Sequence, residues 1–257
     1  MIQAVLAVVG ALAVLKYLSD QGVRKSKEHA GAADSLHGQG RHAEAIKEYD
    51  EAIKNDPQNA QLYTRRGRAF WGLGERNAAL DDYRRAAGLD SNGVAAHCDV
   101  ADALRLMGRP RDALASAERA VALSGRSSRA YRARGEVLWS LDEGGKAIGD
   151  LKASASLHDT AETHVRIAEM RCGRGEHGYE RKEMDLAISM EAGSADLHYR
   201  RARALLHIAG EDPGSMEECC REAATDLERA LEIDPRHEEA AGMLRRAREM
   251  PEGGGGK

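Results

Sequence analysis

From Met1 to Leu15 the only polar side chain is Gln3, and no residue is charged. Polar residues then dominate, and apolar ones return in short groups three and four apart, the spacing of one helix face. Two kinds of element are predicted. The first is a single apolar helix over residues 1–18. Its lipid-facing candidates are Ile2, Val5, Leu6, Val8, Val9, Leu12, Val14 and Leu15. The second is a long series of amphipathic helices after it. At 1.5 Å per residue the first would span about 22–27 Å, slightly short of a hydrocarbon core of about 30 Å.

An uncleaved signal anchor is the reading this leader favours. A cleaved signal peptide wants a basic start, which is missing here. Its A-x-A match, Ala11-Leu12-Ala13, lies inside the apolar run. A helix packed on a soluble domain would need a polar face. Lys16, Arg24, Lys25 and Lys27 follow the segment and no Lys or Arg precedes it. The positive-inside rule then keeps the rest of the chain in the cytosol.

The remaining pattern repeats. Tyr63-x3-Gly67-x2-Phe70 recurs as His97-x3-Ala101-x2-Leu104 and again as Tyr131-x3-Gly135-x2-Leu138, each 34 residues on. AEAIKEYDEAIKNDP, closed by Pro57, has a near copy in ATDLERALEIDP, closed by Pro235. In this the chain resembles the tetratricopeptide repeat family, whose 34-residue unit is a helix–turn–helix. Counting from Ser26, small residues fall at position 8 (Ala33, Gly67, Ala101, Gly135) and position 20 (Ala45, Ala79, Ala113, Ala147). Two further repeats diverge. The fifth carries Glu180 where the others have Ala, and the sixth holds about nine extra residues around GEDPGSMEE.

The resemblance implies an all-α fold: a right-handed solenoid of about six helix pairs. The expected plan is an anchor over 1–18, a basic linker over 19–25, and repeats at 26–59, 60–93, 94–127, 128–160, 161–194 and 195–237. A capping helix over 238–250 and a disordered glycine-rich tail over 251–257 complete it. Small residues let the helices approach closely, and stacking buries what a lone pair could not. Composition agrees: 4% aromatics with one Phe is poor material for a β-sheet. A net charge of -4 gives no nucleic-acid footprint.

Solenoids of this family bind a protein or peptide on the concave face, through the first helix of each repeat. Packing is expected at positions 4, 7, 8 and 11 of that helix. The groove positions place Arg65, Arg68 and Trp71 there from the second repeat, beside Gln61 and Thr64. The third supplies Asp99, Asp102 and Arg105 with Cys98, and the fourth supplies Arg129, Arg132, Glu136 and Trp139. Tyr199, Arg200 and Arg203 come from the sixth, with Asp196. The two tryptophans share one repeat position, as an aromatic anchor for a partner would. Packing on the solenoid itself is the alternative, as is a solvated face for the arginines.

Some family members hold the acidic C-terminal tail of a chaperone in a carboxylate clamp of Lys, Asn and Arg. Here Ala30, Asp34, Arg65, Ala95 and Asp99 occupy its places, so that partner is not expected. One repeat later, Thr64, Arg68, Asp99, Arg129 and Ala133 do little better. Other chemistry is thin. The histidines show no zinc-type His/Cys spacing, and Cys98, Cys172, Cys219 and Cys220 form no CxxC pair, so reduced thiols are expected. RCGRGEHG lacks the Lys-Ser/Thr of a phosphate loop. No metal, cofactor or enzymatic activity is expected. The expected role is a membrane-anchored adaptor, on the mitochondrial outer membrane first and the endoplasmic reticulum second. A structural subunit of a membrane complex and a bacterial envelope protein are the alternatives.

Overall fold

The computed structural model describes residues 2–250, with side chains at Lys16, Tyr17 and from Ser19 onward. Among them are thirteen α-helices and no strand. Two compact units divide the chain, one ending at Leu141 and one starting at Asp142.

The N-terminal unit holds α1 (Ile2–Gly38), α2 (His42–Asn55), α3 (Ala60–Leu73), α4 (Arg76–Leu89), α5 (Val94–Leu106), α6 (Pro110–Leu123) and α7 (Ser128–Ser140). Consecutive helices pack as antiparallel pairs, α1 on α2, α3 on α4 and α5 on α6. The seams are made of small residues. Ala33, Ala45, Ala79, Ala101 and Ala113 are all fully buried. At Gly67 an added Cβ would lie 2.7 Å from Cε1 of Tyr83 and 3.2 Å from the carbonyl oxygen of Ala79. Glycine there is a packing requirement, since nothing bulkier fits under the tyrosine ring.

The C-terminal unit holds α8 (Gly144–Leu157), α9 (Ala161–Cys172), α10 (His177–Met190), α11 (Ala195–Glu211), α12 (Met216–Ile233) and α13 (Glu238–Glu249). Each packs on the next. α13 closes the stack, burying Ala240 and Ala247 and leaving charged residues outside.

Helix ends follow local chemistry. Asn59, Ser127 and Thr160 accept backbone N–H bonds from the first turns of α3, α7 and α9. The turns of the first, second, third and fifth pairs use a left-handed glycine at one repeat position: Gly40, Gly74, Gly108 and Gly175, with φ between +69° and +88°. Asp142 takes the same place with φ +64°, the one non-glycine residue with positive φ among those described. Aspartate is among the few side chains that tolerate this conformation.

Three expectations change. Residues 19–25, expected as a linker, are helical, and α1 runs unbroken through them. The helix former composition of KYLSDQGVRKSKEH contains no proline or paired glycine to stop it. In the sixth repeat the extra residues lengthen both helices, leaving only residues 212–215 between them. Position 7 of the first helix is not purely apolar, as described below. No helix among the described residues is long and apolar enough to cross a membrane. The side chains assigned to the anchor, and the tail from residue 251, lie outside the described residues.

Candidate functional site

In the N-terminal unit the first helices of successive repeats bring alternating charges together. Arg65 donates from Nη1 to Asp34 Oδ2 at 2.6 Å, and the Tyr49 hydroxyl donates to Asp34 Oδ1 at 2.6 Å. Burial and this bond to a carboxylate push the Tyr49 hydroxyl well above the ordinary tyrosine range. Asp99, 8% exposed, is shared. Arg129 donates to its Oδ1 at 2.5 Å, and Arg68 stands 3.8 Å from the same oxygen. The other oxygen, Oδ2, has no hydrogen-bond partner among the described residues, and neither has Nε of Arg105. Burial raises the carboxyl of Asp102 above its usual value, against the nearby arginines 105, 129 and 132.

Trp71 and Trp139 are both half-buried. Trp71 leans on the core cluster around Leu80, Val100 and Leu104, with the Arg76 guanidinium 5.8 Å from its ring centroid. It is therefore partly a packing residue. Arg132 is exposed and Glu136 half-buried. Cys98, read as a groove position, is fully buried instead, packed with Ala120, Ala130 and Ala133. Burial pushes its thiol up to about 11. A small apolar side chain at that place is drawn into the seam by its small apolar neighbours, three alanines with Val94 and Val121 against them.

In the C-terminal unit, Arg200 bridges Asp196 at 2.6 Å and Glu169 at 2.7 Å. Tyr199 is half-buried, its ring 4.9 Å from that of His237. Arg203 lies 3.5 Å from Glu180, which is 1% exposed.

Two arginines expected to pack apolar surface do something else. Arg66 donates from Nε and Nη2 to both oxygens of Asp82 (2.8 and 2.7 Å), and from Nη1 to Asp50 at 2.6 Å. Arg201 makes the same three bonds, to Asp226 (2.7 and 2.5 Å) and Asp185 (2.9 Å). These fork-to-carboxylate pairs tie three helices at a time. Their signal was present in the sequence as an Arg at position 7 opposite two aspartates. Also unforeseen is the convergence of Cys172, His177 and Glu180, whose ligand atoms lie within 4.8 Å of one another. No standard zinc spacing announces it.

Family models match three stretches. One described as TPR repeat matches residues 33–74, and two described as tetratricopeptide repeat match residues 60–92 and 98–161. The chain carries tetratricopeptide repeats. The helix pairs α9–α10 and α11–α12 continue the tetratricopeptide plan beyond the matched stretches. Hsc70-interacting proteins 1 and 2 of Drosophila melanogaster are each 34% identical over 93 residues, covering 36% of this chain and 25% of theirs. The match thus spans a quarter of the length of those relatives.

Among solved structures, Pseudomonas aeruginosa pilF superposes with a TM-score of 0.68 at 17% identity, covering 89% of this chain and 99% of that one. The Cut9 and Hcn1 hetero-tetramer of the APC/C gives 0.65 at 18%, covering 91% and 46%. YrrB, described as a TPR protein with an unusual peptide-binding site, gives 0.56 at 19%, covering 77% and 97%. At these identities the likeness is one of fold. Tetratricopeptide repeats are protein–protein interaction modules, and that general role applies here.

Proposed function

We propose that this chain is a non-enzymatic adaptor that binds a partner protein or peptide along the first helices of its N-terminal unit. One observation carries the reading. Asp99 is buried and contacted by arginines from two neighbouring repeats, yet Oδ2 lacks a partner, and so does Nε of Arg105 on the same helix. A buried polar atom left unpaired costs about 1–3 kcal/mol. Both atoms are closed to solvent, so an extended peptide, which offers an N–H donor and a carbonyl acceptor, reaches them by displacing the side chains that cover them. Trp71 offers a half-buried aromatic edge beside them.

Proximity labelling from the C terminus tests this. The double variant Trp71→Ala with Arg68→Glu should lose specific neighbours while its helical signal and location stay unchanged. Neighbours retained in full would move the interface elsewhere. Hsc70 enters as a candidate through the name of the Drosophila relatives. The missing clamp residues argue against its acidic tail as the contact, so a tail peptide should not compete with the partner.

We also propose that residues 1–18 attach the repeats to a membrane, facing the cytosol, with the mitochondrial outer membrane ahead of the endoplasmic reticulum. The charge-free run and the basic residues Lys16 to Lys27 support it. Release of the full chain by alkaline extraction would sink this part. The unbroken backbone of α1 fits equally a second reading, in which this helix packs among the subunits of a membrane complex. Stoichiometric co-purification, against weak exchange with several clients, separates the two.

A further inference from the structure

The corner between α9 and α10 holds a group of side chains that partner binding does not use. Cys172 is the last residue of α9. The chain then turns tightly through Gly175, at φ +69°, and enters α10 at His177. His177 and Glu180 stand one helical turn apart, so both look back toward Cys172. Their sulfur, nitrogen and oxygen atoms lie within 4.8 Å of one another.

Glu180 is the anomaly. It occupies the repeat position filled elsewhere by Ala45, Ala79, Ala113 and Ala147, and it is 1% exposed. A carboxylate in a close helix crossing needs strong compensation. One oxygen, Oε2, meets His177 Nδ1 at 2.8 Å. The other, Oε1, has no hydrogen-bond partner among the described residues. Arg203 stands 3.5 Å from it, in ion-pair range only.

The geometry points to a divalent metal site, for zinc, with Cys172, His177 and Glu180 as ligands and water in the fourth position. Thiolate, imidazole and carboxylate together suit a borderline-soft ion. Tetrahedral zinc sets its ligand atoms about 3.3–3.8 Å apart, given bonds of about 2.0–2.3 Å. To reach that, the widest separation, up to 4.8 Å, closes by about 1 Å, and the 2.8 Å contact of His177 with Glu180 opens by about 0.5 Å. Zinc binding replaces the S–H proton of Cys172 with an S–Zn bond and releases that proton to solvent. One thiolate and one carboxylate then balance the 2+ charge. His177 binds through Nδ1 in the tautomer that carries its proton on Nε2, which faces Glu211 at 3.7 Å. A carboxylate behind a ligating histidine is the usual support for such a ring. Arg203 is the competitor: its guanidinium holds the place next to Glu180 and, a third exposed, swings out to solvent when the metal enters.

Cobalt(II) titration of the tag-free full chain under reducing conditions is the test. A thiolate-to-cobalt charge-transfer band should grow, saturate at one equivalent, and disappear on adding zinc. Cys172→Ala should abolish the band and Cys98→Ala should keep it. Glu180→Gln should weaken binding at least about tenfold. Glu180→Ala, which installs the residue the other repeats carry there, should fold and show the same loss. Arg203→Gln should tighten binding several-fold, because it removes a competing cation, and a purely structural cluster has no reason to respond that way. No band, a band that survives Cys172→Ala, or weaker binding in Arg203→Gln would each overturn the site.

Discussion

Arg66 in the N-terminal unit and Arg201 in the C-terminal unit stand at the same place in their repeats and make the same three hydrogen bonds, atom for atom. What differs is the carboxylate behind them. Asp82 serves Arg66 alone, whereas Asp226 also meets His198 Nδ1 at 3.1 Å. Within the C-terminal unit this is a habit. His164 sits between Glu183 and Asp159, both at 2.8 Å, and His177 rests on Glu180. Both units bury alanine at their seams, and the C-terminal unit adds buried histidine–carboxylate pairs. Where the arginine is absent the apolar alternative returns: Val100 and Ile167 hold that position, and the third repeat has Ser116 in place of the aspartate. In the third repeat arginine and aspartate are omitted together, while in the fifth Glu183 keeps the aspartate's place and meets His164 instead. A guanidinium without its carboxylates would be an unpaired charge against the core.

That difference should be measurable. Asp226→Ala strips the buried carboxylate from His198 and from Arg201, which keeps only Asp185, and should cost about 3–5 kcal/mol, as for breaking a buried pair. Asp82→Ala strips one partner from an arginine that keeps Asp50, and should cost about 1–3 kcal/mol. Chemical denaturation of the two variants checks the order. Equal losses would mean that His198 adds nothing and that the two staples are energetically alike.

The next comparison uses glycine. Gly67→Ala drives a Cβ into the Tyr83 ring and should cost about 1–3 kcal/mol by overpacking. Gly210, within α11, has nothing within 4 Å of such a Cβ. Gly210→Ala should therefore stabilise by about 0.5–1 kcal/mol, the ordinary gain of alanine over glycine in a helix. Matching melting temperatures for the two variants would mean that the seam between α3 and α4 yields more easily than its geometry implies.

The repeat register was legible because close helix approach forces small residues, and Gly67, Ala79 and Ala113 leave a periodic trace. The groove residues were legible only as positions. Asp99 and Arg129 do meet, but Cys98 at a groove position is buried, and Trp71 divides itself between groove and core. Position alone cannot say which way a side chain turns when its neighbours leave room on one side. The Arg66 and Arg201 staples were hidden for a different reason. Each requires three helices, and the aspartates come from two different repeats. Glu180 did stand out as a break in the alanine column, yet the break said nothing of His177 and Cys172 around it. A helix corner joins those three, and their spacing belongs to that corner alone.

The smallest expected effect is a pH dependence within the N-terminal unit. His37, at the end of α1, has its pKa lowered below 6.5 by burial first, then by His42, whose Nδ1 lies 3.0 Å away. Arg68 pushes in the same direction, and Asp34 opposes them. A histidine held neutral in the fold binds its proton more readily once the chain unfolds. Its contribution is complete above 6.5 and is lost as pH falls below that value. Acidification from pH 7 to about 5 should therefore lower the melting temperature of the wild-type chain more than that of His37→Gln. Parallel curves for the two proteins would remove His37 as the cause. Any remaining acid sensitivity would then have to come from groups other than this pair at the end of α1.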